Sequence, residues 1–279
     1  MSTSSFQRIG VAANLENEQA LALLPDLLPA LVADGFEVFV EPALTGIDAA
    51  AGFTAPIPED VDLIIALGGD GTILQVARQF VSTGIPILGL KGGRLGFLAE
   101  ARTEKVAHWL REGRYQIQKR MRVHAVVQRE GESSREFSAL NDVVVHGTGY
   151  SRMVRLRIDV DGKLLREIRA DGVIASTPTG STAYSLSAGG PLLVPTVEAM
   201  VLTPLSPHSL AVRPLVVGAD QRISVRVLDS PSGIMFTMDG QERSALRVDE
   251  TLIIESSPDP TLLVVPDDYD FFGLMREKL

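Results

Sequence analysis

A glycine-rich turn with one carboxylate is the stretch of this sequence best suited to chemistry. Residues 67–72 read Leu-Gly-Gly-Asp-Gly-Thr and directly follow an apolar run at residues 63–66. Glycines let a main chain approach an anion closely, and a helix that begins there points its amide groups at the anion. Asp70 is suited to act as a base or to orient a metal ion. The pattern predicts a phosphate site.

The segments on either side favour a functional site over a simple tight turn, for which glycine and aspartate are also suited. Residues 63–67 are typical of a buried parallel strand. Residues 72–82 have the spacing of an amphipathic helix, and the hydroxyl of Thr72 is suited to cap it. Because open α/β sheets bind ligands at the carboxyl ends of their strands, we expect the turn to lie at such an end.

A second glycine-rich segment follows the next predicted strand. Residues 90–98 read Leu-Lys-Gly-Gly-Arg-Leu-Gly-Phe-Leu. Lys91 and Arg94 offer two cations for phosphate. The alternative is a loop that only crosses the top of the sheet.

A polar pair, Asn141-Asp142, begins another predicted strand. The amide of Asn141 both donates and accepts hydrogen bonds, whereas an ionised Asp142 only accepts them. The residues alone leave two interpretations open, a binding pair and a turn.

Hydroxyl groups are concentrated at residues 176–187, beside the phenol of Tyr184. The hydroxyl-bearing residues are Ser176, Thr177, Thr179, Ser181, Thr182, Ser185 and Ser187. Such groups suit ribose and phosphate oxygens, and Tyr184 is able to stack on a ring. The alternative is a solvated loop, but the apolar run at residues 173–175 leads directly into the segment and favours a binding role.

The first part of the chain alternates between strand and helix patterns. Strands are predicted at residues 8–12, 36–40, 63–67 and 85–90, with helices at 18–33, 72–82 and 103–112. Pro25 and Pro29 should shorten or kink the first helix. This rhythm predicts an α/β N-terminal domain with a parallel sheet, over residues 1–113.

Strand patterns dominate the rest of the chain. Alternating residues flank Asp161-Gly162, which predicts a hairpin, and Asp239-Gly240 resembles a second turn. We therefore expect a β-rich, β-sandwich-like C-terminal domain at residues 114–255. The tail, residues 256–279, carries clustered apolar side chains near its end and is expected to pack back on the first domain.

Composition excludes several classes of protein. The 279 residues include no cysteine, and the net charge is −9. Disulfide frameworks and thiolate metal sites are therefore excluded, and binding to nucleic acid or to an anionic membrane is not expected. The first residues lack an apolar signal core, and no stretch is long enough to span a membrane, so we expect a cytoplasmic protein. The four histidines are scattered without metal-ligand spacing and are expected to be structural.

In combination, these motifs closely resemble those of the NAD kinase family along nearly the whole chain. The most specific stretch is Thr177-Pro178-Thr179-Gly180-Ser181-Thr182-Ala183-Tyr184. The other matching stretches are Gly68 to Thr72, Gly89 with Leu95 to Leu98, Asn141-Asp142, Asp171-Gly172, Pro207 to Leu210, Arg213 to Leu215 and Asp239 to Gln241.

The resemblance implies a two-domain fold, homo-oligomers (dimers or tetramers) and a defined reaction. Members of the family transfer the terminal phosphate of ATP, or sometimes of polyphosphate, to the 2′-hydroxyl of the adenosine ribose of NAD. A divalent metal, usually Mg²⁺, accompanies the donor. By this resemblance Asp70 is the general base. The implied NAD-binding residues are Asp70, Gly71, Asn141, Asp142, Arg152, Arg169, Asp171, Thr182, Ala183, Tyr184, Ser185, Leu186, Ser187 and Gln241.

Two positions depart from the family pattern. Lys91 stands where Asn is common, and glycines at 147 and 149 precede Arg152. Alternatives that use the same glycine turn are a lipid or sugar kinase and a catalytically silent dinucleotide-binding regulator. A lipid kinase should show a membrane-facing element, which the sequence lacks, and a silent regulator should lack the carboxylate of Asp70, which is present.

Overall fold

The computed structural model describes residues 6–91, 96–98, 106–129, 134–150 and 152–279. Within them the chain forms two compact units. The first runs to Lys119 and resumes at Thr261–Leu279, and the second is Arg120–Pro260.

Eighteen strands and six α-helices are described. The helices are α1 Glu18–Leu21, α2 Leu24–Ala33, α3 Asp70–Gln79, α4 Val106–Arg111, α5 Tyr184–Ser187 and α6 Phe271–Lys278. The strands are β1 Arg8–Ala13, β2 Glu37–Val40, β3 Leu63–Leu67, β4 Ile87–Leu90, β5 Tyr115–Arg120, β6 Val123–Gln128, β7 Arg135–Ala139, β8 Asp142–Gly147, β9 Val154–Val160, β10 Lys163–Ala170, β11 Gly172–Ser176, β12 Ala199–Leu205, β13 Leu215–Gly218, β14 Ile223–Asp229, β15 Ile234–Met238, β16 Glu242–Leu246, β17 Thr251–Ser256 and β18 Thr261–Pro266.

The first unit is built on one six-stranded sheet with the order β2-β1-β3-β4-β18-β5. The strands from β2 to β18 in this order are parallel, as the βα alternation predicted. All five residues of β3 are buried, which accounts for the continuous apolar run of this strand. The carboxyl end of β3 leads into the glycine turn and α3.

The predicted helix at residues 18–33 is two helices, α1 and α2. Pro25 has no N–H group to extend a helix that arrives from α1, but it is tolerated in the first turn of a new one. It therefore lies at the start of α2, and Pro29 lies inside that helix.

The second unit contains two antiparallel sheets, with the orders β10-β9-β14-β17-β6-β7 and β13-β12-β11-β8-β15-β16. Alternate residues of both sheets form one apolar core. The ring of Phe137 packs against this core, nearly perpendicular to the ring of Phe236, with 4.8 Å between the ring centroids. The prediction of an α/β domain with a β-rich, sandwich-like partner is confirmed. The predicted hairpin at Asp161-Gly162 forms, and the predicted turn at Asp239-Gly240 joins β15 and β16 in a second hairpin. Both residues of each turn have positive φ.

The chain passes from the first sheet to the second unit after β5, which neighbours β18. The sequence-based domain boundary after residue 113 stays a prediction. In the tail, β18 pairs with β4, and Phe271 and Leu274 of α6 are buried.

Candidate functional site

In the glycine turn of the first unit, Gly68 is closely packed against its neighbours. Gly68 has a φ of +155° and donates its N–H to the carbonyl of Leu90 at 2.9 Å. A Cβ at Gly68 would lie 2.2 Å from the Oγ1 of Thr72. The backbone angle and the missing side chain are both required, so this position needs glycine.

Helix α3 begins at Asp70, two residues earlier than predicted, and Gly69 is its N-cap residue. The assignment of Thr72 as the cap is wrong, because Thr72 lies inside the first turn, where it is buried under Gly68. The positive end of the helix dipole is therefore at Asp70 and Gly71.

The carboxylate of Asp70 is fixed by a second segment of the same unit. Its Oδ2 accepts the N–H of Phe97 at 3.0 Å, and its Oδ1 accepts the N–H of Leu98 at 3.2 Å. A Cβ at Gly96 would lie 1.9 Å from the Oδ1 of Asp70. The ammonium group of Lys278, in α6, lies 5.5 Å from the centroid of the Phe97 ring. The position of this carboxylate therefore depends on residues 96–98.

Of the two cations predicted for phosphate, Lys91 follows β4 directly and is half-buried. Arg94 lies outside the described residues.

A pocket of about 770 Å³ lies on the outer face of the third sheet, within the second unit. Because strand residues alternate between faces, Val143 and Val145 of β8 enter the sandwich core while Asp142 and His146 face the pocket. The pocket is lined by Asn141, Asp142, Val144, His146, Gly147, Thr148, Gly149, Arg152, Asp171, Ala183, Tyr184, Leu205, Ser206, Thr237, Asp239 and Gly240.

Hydrogen bonds from two sides fix the backbone at the start of β8. The carboxylate of Asp239 accepts the N–H groups of Leu140 at 2.9 Å, Asn141 at 2.6 Å and Asp142 at 3.2 Å. On the other side, Thr177 donates its hydroxyl to the carbonyl of Leu140 at 2.6 Å and its N–H to that of Asn141 at 2.8 Å. A Cβ at Gly180 would lie 2.0 Å from the Asn141 carbonyl oxygen, so the turn after β11 packs directly on this segment.

The side-chain oxygen of Asn141 is the unsatisfied polar atom of this pocket that calls for a ligand. Asn141 is 9% exposed, and its Oδ1 is buried without a hydrogen-bond partner among the described residues. A buried acceptor left without a donor costs about 1–3 kcal/mol. A ligand that brings an N–H or O–H group to this oxygen recovers that free energy.

Two carboxyl groups lie close together at the base of the pocket. Burial, and then the charge of Asp239, raises the pKa of Asp142 to about 7. Burial also raises the pKa of Asp239, although the three amide donors and Arg122 act in the opposite direction. Asp142 therefore changes charge near neutral pH.

The shifted pKa of Asp142 predicts a stability that falls as pH rises. Between about pH 4 and pH 7 the folded protein keeps a proton on Asp142 that the unfolded chain has released, so the slope of unfolding free energy against pH is negative. Asp142→Asn should remove this contribution, since one pKa unit corresponds to about 1.4 kcal/mol. Its Tm, relative to that of the unmodified protein, should rise from pH 5 to pH 8 in thermal unfolding.

Asp161 provides the control of opposite sign. Hydrogen bonds from Arg222 and Gln221 lower its pKa, so its contribution to stability is lost as pH falls. The relative Tm of Asp161→Asn should accordingly be highest at acidic pH. A relative Tm of Asp142→Asn that stays constant between pH 5 and pH 8 would contradict the shifted pKa.

Several hydroxyl groups of residues 176–187 form hydrogen bonds within the protein. Ser185 pairs with Thr203 at 2.8 Å, and Ser181 donates to the Pro178 carbonyl at 2.6 Å. Thr182 donates to the carbonyl of Thr179 at 3.0 Å. These bonds shape the turn that rests on Asn141, while the half-exposed ring of Tyr184 faces the pocket.

The structure brings together six of the predicted NAD-binding residues in this pocket: Asn141, Asp142, Arg152, Asp171, Ala183 and Tyr184. It does not place the following residues in the pocket lining: Arg169, Thr182, Ser185, Leu186, Ser187 and Gln241. Arg169 lines two separate pockets that β10 forms with neighbouring residues. Asp70 and Gly71 belong to the first unit. The roles of all these residues stay predictions.

The candidate site residues omitted Asp239 and His146. The sequence offers one signal for Asp239, its Asp-Gly turn between two strands. The backbone groups that its carboxylate binds, however, lie 97 to 99 positions earlier in the sequence. His146 lines the pocket, and its Nδ1 lies 3.1 Å from the carbonyl oxygen of Gly147.

Comparison with known proteins identifies the family. The model of the ATP-NAD kinase N-terminal domain matches residues 9–115, and that of the ATP-NAD kinase C-terminal domain matches residues 140–265. The chain belongs to the NAD kinase family. Its activity is that of an NAD kinase, an enzyme that acts on NAD and ATP.

Curated NAD kinases resemble this family member over nearly their whole length. The NAD kinase of Acidobacterium capsulatum is 41% identical over an alignment of 287 positions, which covers 98% of each chain. The NAD kinase of Gemmatimonas aurantiaca is 40% identical over 276 residues, covering 98% of this chain and 95% of the relative.

Solved structures of NAD(H) kinases share the fold. Yeast NADH kinase complexed with NADH gives a TM-score of 0.86 at 26% identity and covers 99% of this chain and 88% of its own. An NAD kinase from Archaeoglobus fulgidus in complex with ATP gives a TM-score of 0.76 at 26% identity. This match covers 97% of the present chain and 98% of the Archaeoglobus chain. Among the described residues of the present NAD kinase, no helix is long and apolar enough to cross a membrane.

Proposed function

We propose that NAD binds in the pocket of the second unit and that the 2′-hydroxyl of its adenosine ribose receives the terminal phosphate of ATP. The observation that carries this proposal is the Oδ1 of Asn141, which is buried without a hydrogen-bond partner in the part of the chain that the structure describes. An adenine ring presents an exocyclic amine, which is the kind of donor that this oxygen lacks.

The other side chains of the pocket suit the rest of a dinucleotide. Asp142 and Asp171 offer carboxylate oxygens to ribose hydroxyls, and Arg152 offers a cation to a phosphate. The ring of Tyr184 is half-exposed and is available to stack on a flat heterocycle.

We assign the phosphoryl chemistry to the glycine turn and Asp70. The N-terminus of α3 favours an anion, and phosphoryl transfer depends mainly on positioning and on neutralising charge. Lys91 supplies a cation at the end of the neighbouring strand β4. Asp70 would take the proton of the ribose hydroxyl as the phosphorus approaches, because a neutral hydroxyl is a poor nucleophile.

A divalent cation, Mg²⁺, fits this chemistry. The described residues contain no group of three or more His, Cys, Asp or Glu able to hold a metal by themselves. Mg²⁺ is commonly held by one or two carboxylates together with substrate phosphates, so Asp70 is the residue that would hold or orient it. When bound, the ion would neutralise charge on the donor phosphates.

We also propose that the enzyme is a cytoplasmic homo-oligomer, a dimer or tetramer. Support for assembly comes from apolar side chains on the edge strands of the second unit. Leu164 and Leu165 of β10 are 54% and 42% exposed, and Val216 of β13 is 45% exposed. A cytoplasmic location agrees with a sequence without cysteine.

Purified protein given ATP, Mg²⁺ and NAD should produce NADP. Parallel reactions with NADH and with diacylglycerol as acceptors test the substrate class, and polyphosphate tests the donor. Asn141→Ala should raise the KM for NAD about tenfold or more, since a buried hydrogen bond to the ligand is lost. An Asn141→Ala enzyme with an unchanged KM for NAD would contradict the assignment of the pocket.

A further inference from the structure

We propose that Asp239 is a positioning residue for the dinucleotide: its carboxylate fixes the backbone of residues 140–142, and thereby holds the side chains of Asn141 and Asp142 toward the ligand. This proposal rests on the assignment of the pocket to NAD. It adds a residue of the β15–β16 hairpin to the binding machinery.

The hairpin places Asp239 in an uncommon backbone conformation. Its φ is +53° and that of Gly240 is +66°, and the N–H of Gln241 donates to the carbonyl of Met238 at 3.0 Å. Two successive positive φ angles define a type I′ turn, which aspartate and asparagine tolerate better than most residues. The turn thus brings a short acidic side chain to the start of β8.

Asp239 and Thr177 together engage every backbone polar group of Leu140, Asn141 and Asp142. The carboxylate of Asp239 accepts all three N–H groups, and the N–H of Asp239 donates to the carbonyl of Asp142 at 3.0 Å. Thr177 satisfies the other two carbonyls. Because all these backbone groups are hydrogen-bonded within the protein, the backbone of residues 140–142 is held in place. It therefore sets the directions of the Cα–Cβ bonds of Asn141 and Asp142 before a ligand arrives.

Asp239 also lines the pocket, so direct contact with the ligand must be weighed against positioning. A carboxylate has about four acceptor sites, and three are taken by these amides. Most of the acceptor sites of Asp239 are therefore occupied by groups of the protein. Arg122, which is fully buried and donates its Nε–H to the hydroxyl of Ser138 at 3.0 Å, partly offsets the negative charge.

Asp161 is a matched control within the same unit. It occupies the first position of the other Asp-Gly hairpin, with a φ of +50°, and its Oδ1 accepts the N–H of Arg222 at 2.9 Å. Its hairpin joins β9 and β10, and Asp161 is absent from the pocket lining. Substitution there removes a carboxylate from the same kind of turn without touching residues 140–142.

The test compares Asp239→Asn and Asp239→Gly with Asp161→Asn and Asp161→Gly, because asparagine and glycine both accept the turn conformation. Steady-state kinetics should show a KM for NAD raised about tenfold or more in the Asp239 variants, with the KM for ATP within about twofold of the unmodified enzyme. The Asp161 variants should keep both constants. If Asp239→Gly fails to fold, Asp239→Asn decides the outcome.

A double-variant cycle separates positioning from a general loss of stability. If Asp239 acts through Asn141, then Asn141→Ala combined with Asp239→Asn should raise the KM for NAD by much less than the product of the single effects. Multiplicative effects, or an unchanged KM in Asp239→Asn, would overturn the proposal. If Asn141→Ala alone raises the KM while Asp239→Asn does not, the role of Asp239 fails and the pocket assignment stands. If neither changes it, the pocket assignment itself fails, and the proposal with it.

Discussion

Asp70→Asn should lower kcat for NADP formation by about 10³-fold, within the range found when a general base is removed, while NAD still binds. Asparagine has nearly the same shape as aspartate but does not accept a proton at neutral pH. The loss should therefore appear in kcat, and the dissociation constant for NAD, measured by calorimetry, should change little by comparison.

A control is needed because Asp70 also has a structural task. Asparagine would turn its NH₂ group toward one of the amides of Phe97 and Leu98. Asp62 offers a matched substitution, since its Oδ2 accepts the N–H groups of Gln7 and Arg8, both at 2.8 Å, in the same unit. Asp62→Asn should lower the Tm without lowering kcat. Turnover at the unmodified rate in Asp70→Asn would show that Asp70 is not the base.

The parts of the fold that the sequence predicts are those governed by local rules. The buried run of β3 and the two Asp-Gly hairpins follow from hydrophobicity and from the backbone angles that these turns need. Thr72 is not the cap, because its hydroxyl packs against Gly68 inside the first turn of α3. The helix begins at Asp70, and its N-cap residue, Gly69, has no side chain with which to cap it.

The candidate site was predictable in its residue types but not in its connections. Asn141 and Asp142 stand out because two polar residues begin an otherwise apolar strand. The hydrogen bond from Asn141 to Asp239 spans 98 residues, and no local pattern reveals it. The hydrogen bond between Ser185 and Thr203 spans 18 residues and is likewise absent from any local pattern, while the role of Ser185 toward NAD stays a prediction.

Gly96→Ala should lower kcat by about 10- to 100-fold. The new Cβ would lie 1.9 Å from the Oδ1 of Asp70, so the carboxylate must move. The displaced carboxylate loses hydrogen bonds from the N–H groups of Phe97 and Leu98, so the Tm should fall as well. A displacement of about 1 Å at a reacting group costs about 10²-fold in rate. Gly46→Ala is the matched control, because a Cβ there meets no atom of the described residues within 4 Å.

The double variant Gly96→Ala with Asp70→Asn tells displacement of the carboxylate apart from other damage. If the alanine acts only by moving Asp70, it has nothing left to remove once that carboxylate is gone. The kcat of the double variant should then equal that of Asp70→Asn, a non-additivity expected of residues that act as a unit. A further fall in the double variant would mean that residues 96–98 contribute to turnover by another route. A normal kcat in Gly96→Ala would mean that turnover tolerates movement of Asp70, which a positioned base does not allow.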